Sequence, residues 1–229
     1  MMFPYLDPTI VLLIPAMLFS LWAQFKVKSA FSRYSEVRAA SGVTADQVSR
    51  ALLDRFGLEN VRVERIQGHL TDHYDPRSKV LRLSDAVSGN SSIAAIGVAA
   101  HEVGHAIQDK DGYAFLRLRN SIVPAVNIGS TISMPLFFIG LIMGSAPLLN
   151  IGILLFCGVL VFHLVTLPVE FDASARALRL LSETGLLKGS EVGGAKAVLD
   201  AAALTYVAAL VMTVLQLVRL LALRGMRRD

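Results

Sequence analysis

Leu148-Leu-Asn-Ile-Gly-Ile-Leu-Leu-Phe-Cys-Gly-Val-Leu-Val-Phe-His-Leu-Val-Thr-Leu167 contains no aspartate, glutamate, lysine or arginine. An uncharged helix of about 20 apolar residues matches the ~30 Å hydrocarbon core of a bilayer. Three more runs share this character, at residues 8–25, 121–145 and 201–223. Together they explain why 54% of the 229 residues are hydrophobic and only 17% charged, whereas a soluble domain carries about 25% charge. Only Ser145 to Pro147 separate the second and third runs. They therefore form a tight helical hairpin, and its uncharged connection suits the outer face of a membrane. The net charge of +4 is small and evenly spread, which excludes a nucleic-acid-binding protein. The single cysteine, Cys157, lies inside an apolar run and forms no intramolecular disulfide.

The charges beside these runs address orientation. Met1 to Asp7 has no Lys or Arg and no small-residue cleavage site follows the first run, so 8–25 reads as a retained span rather than a signal peptide. Lys26, Lys28, Arg33 and Arg38 follow it, which places its end, and the polar stretch beyond, in the cytoplasm. Arg224, Arg227 and Arg228 follow the fourth run and also look cytoplasmic. Four full crossings put both termini on one side, so the two signals conflict. Either the fourth run is an incomplete crossing or its tail departs from a statistical rule.

Residues 26–120 form the long polar stretch. Thr44-Ala-Asp-Gln47 reads as a capping box opening a helix through Val48, Leu52 and Phe56, with Gly57 as its stop. Val61 to Gln67, Leu70 to Tyr74 and Lys79 to Leu83 are strand-like, and Asp75-Pro-Arg-Ser78 is a turn sequence between the last two. A small β-meander or hairpin is expected. Asn90-Ser-Ser92 offers caps for a helix over about 92–110, rich in small residues that permit close helix approach. Residues 168–200 form an amphipathic segment.

Within that helix stands His101-Glu-Val-Gly-His105. Residues i and i+4 share a helix face, so two imidazoles there can hold one zinc ion per chain. Glu102 is placed to take a proton from water as it attacks a carbonyl. As plain core residues, two His and one Glu on an apolar helix would need other partners for their polar atoms. A catalytic zinc takes a third protein ligand. The candidates are His69, His73, His163, Glu170 and Asp172. Glu170 is favoured because it follows the third run, where a helix can lie beside that of His101. Asp172 either orients a ligand imidazole or pairs with Arg176 at i+4. His163 reads as a neutral core histidine. His69 and His73 lie near the proposed strands, where an edge strand could bind extended substrate. There His73, Tyr74 or Arg82 could stabilise an oxyanion, against the simpler reading of a solvated strand. Tyr206 reads as a packed or interfacial aromatic.

The chain resembles the YugP-type family of neutral zinc metallopeptidases of bacterial membranes. The resemblance is carried by Gly68-His-Leu-Thr-Asp-His-Tyr-Asp-Pro76, Leu81-Arg-Leu-Ser84, Ala99-Ala-His-Glu-Val-Gly-His-Ala-Ile-Gln108, Pro168-Val-Glu-Phe-Asp-Ala-Ser174 and Ala201-Ala-Ala-Leu-Thr-Tyr-Val-Ala-Ala209. It implies a mainly α membrane protein with about four transmembrane helices and a small α+β, zincin-like metallopeptidase domain, multi-pass in the bacterial cell (inner) membrane. It also supports Glu170 as third metal ligand, since more distant HtpX-type relatives use a glutamate on a later helix. Those relatives have an aspartate four residues further on, where this chain has Ser174; Asp172 is the expected substitute. The expected function is zinc-dependent endopeptidase action on membrane or misfolded proteins at the cytoplasmic face of the bilayer. The alternatives are a non-proteolytic, zinc-stabilised membrane scaffold or adaptor, and hydrolysis of a lipid or another amide. Neither the substrate nor the oligomeric state is defined by the sequence.

Overall fold

A computed structural model describes residues 8–226. Met1 to Asp7, Arg227 and Arg228, used above for orientation, lie outside the described residues. The fold is mainly helical. A short 3-10 helix, Pro8–Leu13, leads into α1 (Ile14–Ser35), followed by α2 (Ala45–Arg55), β1 (Arg62–Ile66), β2 (His73–Asp75), β3 (Val80–Ser84), α3 (Ile93–Asp111), α4 (Ala114–Met143), α5 (Ala146–Glu183) and α6 (Ser190–Gly225). Among the described residues, four helices are long and apolar enough to cross a membrane: Pro8–Ser35, α4, α5 and α6. The fourth apolar run thus has the length of a full crossing.

The chain divides into two compact units. The first comprises Met1–Ala23, Leu118–Leu167 and Thr205–Asp229. It has a small core of Phe137, Leu149, Ile153, Phe156 and Leu220. Many of its large apolar side chains, such as Ile128, Ile142 and Leu154, are exposed, as expected of helices solvated by lipid tails. α4 and α5 meet through glycines: a Cβ on Gly152 would lie 2.9 Å from the Cβ of Phe137, and one on Gly140 2.8 Å from that of Leu148. Gly144, with φ +74°, ends α4 in the left-handed region, and Ser145 N–H closes the turn onto Gly140 O. The Arg219 guanidinium donates to Thr9 Oγ1 at 3.2 Å.

The second unit comprises Gln24–Arg117 and Pro168–Leu204. Within it, α2 begins with the expected capping box: Thr44 Oγ1 accepts from Gln47 N, and Gln47 Oε1 accepts from Thr44 N. Gly57, with φ +61°, follows its end. Ala45, Val48, Leu52 and Leu53 form its buried face. α3 is buried almost throughout, capped by the Ser92 hydroxyl accepting from Ala95 N. The core joins these two helices to Leu81 and Leu83 of β3, Ala177, Leu180 and Leu181 of α5, and Ala195, Val198 and Leu199 of α6.

The sheet has the expected hairpin but is not a meander. Its order is β1-β3-β2. β2 and β3 form the antiparallel hairpin, with Tyr74 opposite Leu81, but β1 pairs in parallel with β3, Arg62 opposite Val80 through Ile66 opposite Ser84. β3 takes the centre because it has the apolar strand to bury: Val80, Leu81 and Leu83 are inaccessible. The return from β1 to β2 uses Gly68 (φ +124°) and Leu70 (φ +56°). Asp72 then clamps it by accepting from the N–H and hydroxyl of Ser84 at 2.7 and 2.8 Å.

A second difference concerns the segment after the third apolar run. It does not form a separate element at its start: α5 runs on through Pro168, which lies inside the helix. At ~1.5 Å per residue the helix is about 57 Å long, nearly twice the thickness of a bilayer's apolar core. A proline keeps a helical φ but removes one N–H, and its ring crowds the carbonyl of Leu164, a cost of about 3 kcal/mol or more. The packing of Val169, Ala173, Ala177 and Leu180, buried along one face, outweighs that loss.

Candidate metal centre

The 3.6-residue period of α3 places His101, His105 and Gln108 on one face, and the same helix turns Glu102 toward the sheet. Opposite stands the stretch of α5 from Pro168 to Arg176. The two helices approach closely because position 104 is glycine: a Cβ there would lie 2.7 Å from the backbone oxygen of Ala173. Gly97 makes a looser approach to α6, where a Cβ would meet that of Ala195 at 3.3 Å.

This packing brings Glu170 to both imidazoles. Its Oε2 is 3.3 Å from His101 Nε2 and 3.7 Å from His105 Nε2. One ligand atom from each of the three residues falls within 4.8 Å of the others. Three donors bound at ~2.1 Å in a tetrahedral zinc site sit about 3.4 Å apart, so the two separations from Glu170, 3.3 and 3.7 Å, fit that ion. The rings cross nearly perpendicularly, at 84° with centroids 4.7 Å apart. The carboxylate is 4% exposed and His105 8%. Two imidazoles and a carboxylate are a donor set suited to zinc, and among the described residues this group has three members.

Glu102 is also buried. One carboxylate oxygen, Oε2, accepts from Tyr74 N at 3.0 Å, so the outer edge of β2 faces this side chain. Burial pushes its pKa up to about 7, opposed by the neighbouring His101 and reinforced by the negative charges of Glu170 and Asp72. The Tyr74 phenol donates to Asp109 Oδ2 at 2.8 Å. Its pKa is raised far above the ordinary phenol value, first by burial and then by that bond. Tyr74 thereby ties β2 to α3.

The other candidate residues are placed elsewhere. His73 is exposed on β2, its Nδ1 2.9 Å from Thr71 O and its Nε2 3.3 Å from Arg82 Nη1. His69 stacks edge-on against Phe31. His163 belongs to the first unit and lies against Phe162. Tyr206 lies on α6 in the same unit, partly buried. Asp172 accepts from Arg176 Nε at 2.7 Å and from Gln108 Nε2 at 2.8 Å. It reaches His105 only through Gln108, whose Oε1 is 2.9 Å from His105 Nδ1. On the other ring, Ser174 Oγ is 3.1 Å from His101 Nδ1. Sequence reasoning did not single out Gln108. Its one signal was an amide three residues after the second histidine, at a neighbouring position on the same helix.

Apolar spans together with a buried His–His–Glu donor set define a membrane-associated protein of the metal-site class. Comparison with known proteins narrows that class. The family model described as "Putative neutral zinc metallopeptidase" matches residues 9–225. The "Putative membrane protease YugP" of Bacillus subtilis (strain 168) is 49% identical over 210 residues, covering 92% of this chain and 93% of that relative. The chain belongs to this neutral zinc metallopeptidase family. No solved structure matches it.

Proposed function

We propose that the chain is a zinc-dependent endopeptidase embedded in the bacterial cell membrane, cleaving peptide bonds of membrane or misfolded proteins. In this reading His101, His105 and Glu170 hold one zinc ion and Glu102 is the general base of a zincin-type centre. The carrying observation is one ligand atom from each of His101, His105 and Glu170 within 4.8 Å of the others, beside the buried Glu102 carboxylate.

Bound zinc supplies Lewis-acid polarisation of a carbonyl and lowers the pKa of water. The residues do the rest. Glu102, one position after His101, takes the proton of the attacking water and passes it to the departing amine. Tyr74 N–H holds one oxygen of Glu102 while the other is left for water. A peptide laid beside β2 would meet the exposed His73, whose Nε2 lies 3.3 Å from Arg82 Nη1 of the neighbouring strand β3, which keeps His73 as a proposed substrate contact. The juxtamembrane Lys26, Lys28, Arg33 and Arg38 support a cytoplasmic active site.

Three protein donors with no fourth among the described residues favour catalysis over a structural zinc, which takes four. This weighs against the scaffold reading. The decisive variant is Glu102→Gln in purified, detergent-solubilised protein. Zinc stays bound, and hydrolysis of a casein-type or membrane-protein substrate falls by at least about a hundredfold. Undiminished hydrolysis by that variant refutes the proposal.

A further inference from the structure

We propose that Gln108 is a positioning residue of the metal centre, which fixes the tautomer and ring orientation of His105 and ties that ring to the backbone beside Glu170. The inference rests on the zinc reading above and deepens it.

Gln108 is fully buried, and both ends of its amide are engaged. Its Nε2 donates to Val169 O and to Asp172 Oδ2, each at 2.8 Å. A backbone carbonyl and an ion-paired carboxylate only accept, so the nitrogen end of the amide must point toward α5. The oxygen end is left against His105 Nδ1 at 2.9 Å. An amide oxygen cannot donate, so His105 must carry its proton on Nδ1. The lone pair is then on Nε2, the nitrogen that faces Glu170. An amide flip, ordinarily ambiguous, is settled here by the two acceptors.

Asp172 is itself held by Arg176 Nε, and Arg176 Nη1 donates to Asp111 Oδ2 at 2.6 Å. A chain therefore runs from Arg176 through Asp172 and Gln108 to His105. The imidazole meets a neutral amide rather than a carboxylate, and the carboxylate acts one bond further away. Val169 directly precedes Glu170. Gln108 thus joins a ligand on α3 to the turn of α5 that carries the third ligand. Anchoring of this kind typically changes metal affinity ten- to a hundredfold.

The test uses the intact chain in detergent micelles. Gln108→Met keeps the length of the side chain and removes its hydrogen bonds. Zinc and cobalt(II) titrations should show affinity weakened ten- to a hundredfold and an altered visible cobalt spectrum, with the helical circular dichroism retained. A purely structural role would lower the melting temperature and leave metal affinity of the folded protein unchanged, and that result overturns the inference while sparing the zinc reading. Failure of the unaltered chain to bind either ion overturns both. Should Gln108→Met not fold, ¹⁵N-histidine spectra of the zinc-loaded, unaltered chain decide. A slowly exchanging proton on His105 Nδ1 supports the inference, and metal on Nδ1 or a proton on Nε2 overturns it.

Discussion

Gly104→Ala is the sharpest test of how the two halves of the donor set are held together. In an isolated helix the change would stabilise by about 1 kcal/mol. Here the added Cβ would lie 2.7 Å from Ala173 O and 3.2 Å from Ala173 Cα, whereas ordinary contact begins at 3.4 Å. The atom it meets is backbone and cannot rotate away, so α3 and α5 must part by about 0.7 Å. Overpacking of this kind costs about 1–3 kcal/mol, which exceeds the gain in propensity. His101 and His105 ride on α3 and Glu170 on α5, so the displacement falls on separations now 3.3 and 3.7 Å. Metal–ligand distances tolerate only about ±0.2 Å. The helices either part and weaken the site or close on the metal under strain. With ~1.4 kcal/mol per tenfold, zinc affinity should fall by roughly ten- to a hundredfold, and peptide hydrolysis by a similar factor. Zinc titration against a competing chelator in detergent reads the first, and hydrolysis at saturating zinc the second. Gly97→Ala is the control. Its Cβ meets another Cβ at 3.3 Å, on α6 rather than α5, and its affinity should remain within about threefold of the unaltered chain. Gly104→Ala binding zinc as tightly as the parent would refute the argument that this contact sets the site.

Two further outcomes follow from the same geometry. The raised pKa of Glu102, about 7 in the folded chain against 4.5 ordinarily, means that the metal-free fold takes up a proton more readily than the unfolded chain. The associated stability is complete below the ordinary carboxylate range and is lost as pH rises through about 7. Metal-free protein should therefore lose melting temperature between about pH 5.5 and pH 8, and Glu102→Gln should flatten that slope; the same slope in the variant rules out Glu102 as its source. Ser174→Ala removes the acceptor 3.1 Å from His101 Nδ1 and should weaken zinc binding up to about tenfold with little change in the melting temperature of the metal-free form; unaltered affinity would show that the hydroxyl orients nothing.

Features whose causes lie within one turn or one run of chain were legible in the sequence. Lipid solvates a helix residue by residue, so uncharged runs announced the four long apolar helices without any knowledge of their neighbours. The pairing of His101 and His105 depends only on helical pitch, and the Thr44–Gln47 box only on backbone geometry at a helix start. Where partners come from distant segments, tertiary structure decided. β1 pairs with β3 because the apolar β3 strand demanded the centre of the sheet, a competition among three strands that no local pattern records. α5 continues through Pro168 because packing along Val169, Ala173 and Ala177 outweighs a missing hydrogen bond and a crowded carbonyl. Glu170 could be named as a candidate, but its approach to the imidazoles depends on the missing side chain of Gly104. Gln108, an unremarked amide in the sequence, acquires its partners His105, Val169 and Asp172 only when α3 and α5 meet. Local rules set which groups the chain carries, and close packing of two helices set which of them touch.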